Sequence, residues 1–196
     1  MSAANYDAVV LGAGAAGLMC AAVAGQRGRR VLLLDHADAP GKKILISGGG
    51  RCNFTNVNTA PDRFISANPH FAKSALARYT PSDFIAMVDR HKIAWHEKTL
   101  GQLFCDDSAK DIIRMLLEEM RAVHVDLKLS SEISGVEKGP DGFRLSTSEG
   151  PILATNLVVA CGGKSIPKMG ATGFAYRIAE QFGLPVTETR PALVPL

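Results

Sequence analysis

The chain has 196 residues, of which 46% are hydrophobic and 21% charged, with a formal net charge of +3. That length allows one good core and a small appendage, and the composition is that of an ordinary soluble globular protein. The slight positive excess gives no argument for a nucleic acid or an acidic membrane as partner, and no segment reads as a secretory signal or a bilayer span.

The first element expected is a strand at Ala8-Val9-Val10-Leu11. Gly12-Ala13-Gly14-Ala15-Ala16-Gly17 follows, then a small-residue helix of about Ala15–Gly28 and a second strand, Val31–Asp35. In such a half-unit the first glycine permits a tight strand-to-helix turn. The second lets backbone approach a pyrophosphate, and the third lets helix and strand pack closely. The helix N-terminus then points its N–H groups and partial positive charge at the phosphates. Asp35 stands about where a ribose-binding carboxylate is expected, and it would repel a 2′-phosphate. NAD and FAD both fit this pattern; NADP does not.

Periodicity stops after Asp35, and Ala39 to about Pro69 reads as a long loop containing Ser47-Gly48-Gly49-Gly50-Arg51-Cys52-Asn53. A loop of that length in a compact domain is usually functional. Its glycines give a backbone able to lie against a planar ring or a phosphate. Ser47, Arg51 and Asn53 supply donors, and Lys42, Lys43 and Arg51 could neutralise a pyrophosphate or a reduced flavin. Cys52 is read as a small lining residue, and His36 as a candidate for an adenine pocket.

Two helices are expected next, Phe71–Tyr79 and Asp83–His91, the second capped by Ser82. Short extended pieces follow at Ile93–Glu97 and Gly101–Cys105, then a helix over Ala109–Ala122 with apolar residues at helical spacing. Val123–Leu129 reads as a strand. Glu132–Glu137 and Phe143–Thr147 form a hairpin about Gly139-Pro140-Asp141-Gly142, which Ile152–Ala154 continues as a small meander. Leu157–Ala160 has the look of a buried parallel strand, closing on Cys161-Gly162-Gly163. A last helix, Phe174–Phe182, ends at Gly183. The four cysteines (Cys20, Cys52, Cys105, Cys161) make no C-x-x-C pair and are taken as free thiols of a cytoplasmic protein. His70, His91, His96 and His124 lack ligand-like spacing, so neither a metal nor a catalytic base is assigned among them.

Together, "VVLGAGAAGL", the acid after the second strand, "GKKILISGGGRCNFTN", "GQLFCDDSAKDI", "LVVACGGKSIPKMGATGFAYRIAEQFG" and "PALVPL" resemble the BaiN/YhiN-type NAD(P)/FAD-dependent oxidoreductases. These are bacterial flavoproteins of the glutathione-reductase-like Rossmann superfamily. The resemblance implies an α/β fold, FAD-binding and Rossmann-like, with a parallel sheet flanked by helices and a small antiparallel β-meander. It implies FAD held by Gly12, Gly14, Ala15, Ala16 and Gly17 at the pyrophosphate and by Asp35 at the adenosine ribose. The segment from Lys43 to Asn53 would run along the pyrophosphate, ribityl and ring. Ile133 matches a position that contacts adenine through its backbone, and Ala160, Cys161 and Gly162 match an Ala-Thr-Gly element near the cofactor. Cys161 replaces the threonine, and Ala175 stands where glycine is frequent.

Members of this family are about twice as long. Residues 1–190 are therefore expected to be the N-terminal part of a FAD-binding domain, incomplete here, and 191–196 the start of a connection to a second domain. The expected activity is hydride transfer between the flavin and a nicotinamide or a small-molecule substrate, with NAD(P)H a candidate partner and no catalytic residue assigned. The expected partners include neither a nucleic acid nor a membrane. Two rivals stand beside this reading: an NAD-binding dehydrogenase, and a nucleotide-binding or tRNA-associated flavoprotein module. The second is disfavoured by the modest charge and by the lack of an interleaved basic–aromatic face.

Overall fold

Apolar, β-branched runs alternate with small-residue or amphipathic segments along the chain, and the computed structural model, which describes residues 4–166 and 172–190, turns them into elements accordingly. In chain order these are β1 (Ala4–Leu11), α1 (Ala15–Gln26), β2 (Val31–Leu34), α2 (Lys42–Ile46), β3 (Asn53–Asn56), α3 (Lys73–Arg78), α4 (Pro81–Arg90) and β4 (Trp95–Glu97). They continue as β5 (Gln102–Cys105), α5 (Ala109–Ala122), β6 (Asp126–Lys128), β7 (Ile133–Gly139), β8 (Gly142–Thr147), β9 (Gly150–Val159) and α6 (Phe174–Gln181). The described chain divides into two compact units, one running to Lys42 and resuming at Leu117, the other Lys43–Leu116.

The first unit holds a six-stranded sheet in the order β6-β2-β1-β9-β8-β7. The strands β6, β2, β1 and β9 are mutually parallel, and β9, β8 and β7 form the antiparallel meander. Val9, Leu11, Leu32, Leu34, Val136, Leu145, Ile152 and Ile178 pack into its core, with Phe174 and Phe182 of the α6 region against them. The sheet class is the one expected. One boundary differs, because Ile152–Ala154 and Leu157–Val159 are a single strand. The first half of β9 pairs with both β8 and β1, the second half with β1 alone. Val159, expected in a buried strand, is 39% exposed.

The second unit holds a three-stranded antiparallel sheet, β3-β5-β4. The stretch read as a long loop is therefore partly ordered: it contributes α2, a short 3-10 turn at Ser47–Gly50 and β3. Phe54 is the apolar anchor, 6.0 Å from Phe84 and 6.3 Å from Trp95 between ring centroids. Trp95 thus belongs to a packed cluster, and its Nε1 donates to Asp89 at 2.8 Å. The cap of α4 is Thr80, not Ser82. Thr80 and Asp83 exchange hydrogen bonds as a capping box, with Pro81 in the first turn. The proline favours that start because its fixed φ is already helical and its missing N–H would be an orphan anyway. The PALVPL segment, residues 191–196, lies outside the described residues.

Candidate functional site

The carboxyl ends of β1, β2 and β9 lie level, since Leu11 is in register with both Leu34 and Val159. β1 is also where chain order reverses direction across the sheet, and open α/β sheets place ligands in the crevice outside such a switch point. Three loops leave there together. Gly12 N–H donates to Leu34 O at 2.7 Å, Ala160 N–H to Leu11 O at 2.8 Å, and Asp35 N–H to Lys128 O at 3.0 Å.

The three glycines of the turn have distinct surroundings. A Cβ on Gly12, whose φ is +106°, would stand 2.6 Å from Ala160 O. One on Gly17 would stand 1.8 Å from Gly12 O, so only hydrogen lets α1 dock against the turn. One on Gly14 would meet nothing within 4 Å. Gly14 has an extended backbone and gives α1 no side-chain cap. The helix therefore starts at Ala15, Ala16 and Gly17 with its positive dipole end facing open space, an arrangement suited to an anion.

Asp35 holds this turn from the next strand. Its Oδ2 accepts Ala13 N–H at 2.6 Å and its Oδ1 accepts Ala37 N–H at 2.8 Å. His36 Nδ1 lies 3.3 Å from the same Oδ1, on a ring that is half exposed. Lys42 is ion-paired with Asp38 at 2.6 Å, which holds the Asp38 carboxyl below its usual range. Cys161 donates its thiol to Leu11 O at 3.5 Å, much as a threonine hydroxyl would. Burial first, and then the charge of Asp35, push that thiol up to about 11. Gly162 has a φ of 74°. Ile133 opens β7 opposite Thr147.

The second unit carries the other predicted residues. Ser47 Oγ donates to Ile44 O at 2.7 Å, and Cys52 N–H donates to Ser47 O at 3.0 Å, closing the glycine loop on itself. Gly48 packs against the Phe104 ring, where a Cβ would fall 2.8 Å from Cε1. Gly49 and Gly50 have positive φ and open space around them, so their backbone is accessible. The Asn53 amide, oriented to face its acceptors, donates to Leu103 O at 3.2 Å and Thr55 O at 3.0 Å. Arg51 is exposed, while Cys52 is buried with φ of 51°, and burial raises its thiol. Lys43 follows Lys42 in α2.

One arrangement escaped the sequence. His96 Nδ1 and Asp106 Oδ1 are 2.6 Å apart across the β4–β5 pairing. Ten residues separate them, a spacing that matches no helix or metal pattern; only the hairpin register brings them together. Among the described residues no group of three or more His, Cys, Asp or Glu could hold a metal, and no helix is long and apolar enough to cross a membrane.

Residues 6–190 match the family described as "HI0933-like protein Rossmann domain". The chain is 56% identical to the Escherichia coli protein "Ribosomal RNA dihydrouridine synthase" over 97% of its own length and 48% of that protein's. A Haemophilus influenzae protein of the same name is 49% identical, over 95% of this chain and again 48% of its own. The chain thus spans about half the length of these curated relatives. Among solved structures, glycine oxidase from Geobacillus kaustophilus superposes with a TM-score of 0.58 over 93% of this chain and 59% of its own, at 16% identity, a likeness of fold alone. The expectation that no nucleic acid is a partner finds no support in relatives so named.

Proposed function

The chain belongs to the HI0933-like protein Rossmann domain family, and from that premise we propose that it is the FAD-carrying part of a reductase acting on uridine in ribosomal RNA. The observation that carries the cofactor reading is the turn at Gly12–Gly17. Its one open glycine, Gly14, lies at the start of α1, and Asp35 fixes the turn from β2 while keeping lone pairs for a ribose diol. The residues therefore fit the group. Gly12, Gly14, Ala15, Ala16 and Gly17 would hold the pyrophosphate and Asp35 the ribose. His36 and the Ile133 backbone would flank the adenine. Lys42, Lys43 and Ser47–Asn53 would attend the phosphates, ribityl chain and ring, and Ala160, Cys161 and Gly162 would close the crevice. When bound, FAD supplies two-electron hydride chemistry, with NAD(P)H as donor. In this reading residues 1–190 are the N-terminal part of a FAD-binding domain.

The RNA half rests on the named relatives and on a surface that sequence spacing did not reveal. Residues 62–71 are exposed without a break, Ile65 and Phe71 being 102% and 76% exposed. Arg63, His70, Lys73, Arg78 and Tyr79 are exposed beside them, and Asp62 is the only acid from Val57 to Ser82. The second unit holds ten Lys and Arg against seven Asp and Glu, and the first twelve of each, so the whole +3 belongs to the second. Cations interleaved with aromatic rings suit an unstacked strand. A ribosomal substrate also agrees with a cytoplasmic protein.

The test is to give the protein, as its gene encodes it, FAD, NADPH and ribosomal RNA, and to digest the RNA for mass spectrometry. A uridine gaining two hydrogens is the expected result. RNA left unchanged while a small unsaturated compound is reduced would replace the RNA reading with a small-molecule one.

A further inference from the structure

His96 and Asp106 form a pair to which neither the cofactor nor the RNA reading gives a role, in the same unit as the glycine loop. A carboxylate can only accept, so the 2.6 Å contact needs the proton on His96 Nδ1. That leaves Nε2 as the nitrogen turned away from the carboxylate, the orientation a carboxylate imposes on catalytic imidazoles. The ring is held a second time, stacked on Phe104 at 6.2 Å and 17°. Phe104 is also the ring against which Gly48 packs, and Lys98 Nζ lies 5.3 Å from its centroid. The pair is thus one aromatic ring away from the loop, and at 43% and 44% exposure it can exchange protons with water.

We propose that His96, positioned by Asp106, is the acid–base residue of the site. This rests on the reading of the Ser47–Asn53 loop as a flavin-lining segment. Reducing the ring double bond of a uracil adds one hydrogen to each of its two carbons. A bound reduced flavin would supply the hydride for the first C–H bond; the displaced π pair would form the second with a proton that His96 Nε2 gives up. His96 is left neutral with Nδ1–H still donated to Asp106, and regains its proton from water.

Chemical rescue is the test. In His96→Ala, dihydrouridine formation should fall by about 10²–10⁴-fold, imidazole in solution should restore part of it, and FAD content should match wild type. His96→Gln, which can donate a hydrogen bond but passes no proton, should be as slow. Independently of activity, nitrogen NMR of the flavin-free protein should find the neutral His96 proton on Nδ1, moving toward Nε2 in Asp106→Ala. Either variant working at the wild-type rate, a loss that imidazole leaves untouched, or a tautomer indifferent to Asp106 would overturn the proposal. Wild-type protein that holds FAD yet reduces no RNA would overturn the substrate reading and this one together.

Discussion

The Asp35 carboxylate accepts the amide proton of Ala13 at 2.6 Å, so the acid at the end of β2 fixes the backbone of the turn that follows β1. Its second oxygen does the same for Ala37 at 2.8 Å. Asp35 thus has a structural role in addition to any contact with a ribose. Asp35→Ala should destabilise the flavin-free protein by about 1–3 kcal/mol, the usual consequence of leaving a partly buried N–H unpaired, and should also weaken FAD binding. Urea unfolding without flavin separates the two effects: an unchanged midpoint would mean that Asp35 serves the ligand alone.

Gly14 and Gly17 should respond oppositely to the same added methyl. Gly14 has an ordinary extended backbone with nothing near its Cβ position, whereas a Cβ on Gly17 would overlap Gly12 O at 1.8 Å. Gly14→Ala should leave stability within about 0.5 kcal/mol of wild type and still lower FAD affinity at least tenfold. Gly17→Ala should destabilise by about 1–3 kcal/mol or more, because the overlap is with backbone that cannot swing aside. Thermal melts and flavin titrations of both variants check this, and equal behaviour would remove the distinction between a packing glycine and a ligand-facing one.

These contrasts show how far the sequence could be read. The Gly12–Gly17 turn, Asp35, the parallel pairing and the 133–147 hairpin follow from local rules, because each is a short segment whose residue types meet a local steric or hydrogen-bonding need. Thr80 was legible too, through the Thr-x-x-Asp spacing with a proline in the first turn, although Ser82 competes as a cap by residue type. The fusion of 152–154 with 157–159 was hidden, because pairing on both sides followed by pairing on one makes a single strand look like two. The His96–Asp106 contact and the exposure of Phe71 were beyond local reading, since both depend on which strands pair and which surfaces stay uncovered.

Burial pushes the Cys105 thiol up to about 12, with the neighbouring Cys52 charge adding to it, and Cys161 up to about 11. Both are therefore neutral at pH 8, and iodoacetamide should label neither in the native protein. The folded state keeps these protons longer than the unfolded chain, whose thiols titrate near 8.5. Their contribution to stability is thus full below that pH and is lost as pH rises toward 11 and beyond. The urea midpoint should fall between pH 9 and 11, less so in a Cys105→Ala, Cys161→Ala variant; an equal fall in both proteins would show that other groups cause it.

The exposed cations of the second unit should report on RNA through salt. Replacing Arg63, Lys73 and Arg78 by glutamate should weaken binding to single-stranded RNA and flatten the slope of log affinity against log salt by about 0.7 for each phosphate that is no longer neutralised. Phe71→Ala should cost about 1–3 kcal/mol if a base stacks there. Fluorescence anisotropy over a salt series measures both, and wild-type slopes in the charge variant would exclude this surface as the RNA-binding face.

Flavin stoichiometry measures whether the turn at Gly12–Gly17 carries FAD. The protein as its gene encodes it, reconstituted with FAD and passed through gel filtration, should retain about one flavin per chain by visible absorbance, and Gly14→Ala should retain far less while melting normally. Wild-type protein that emerges without flavin absorbance, or Gly14→Ala that keeps it in full, would show that this turn does not hold FAD.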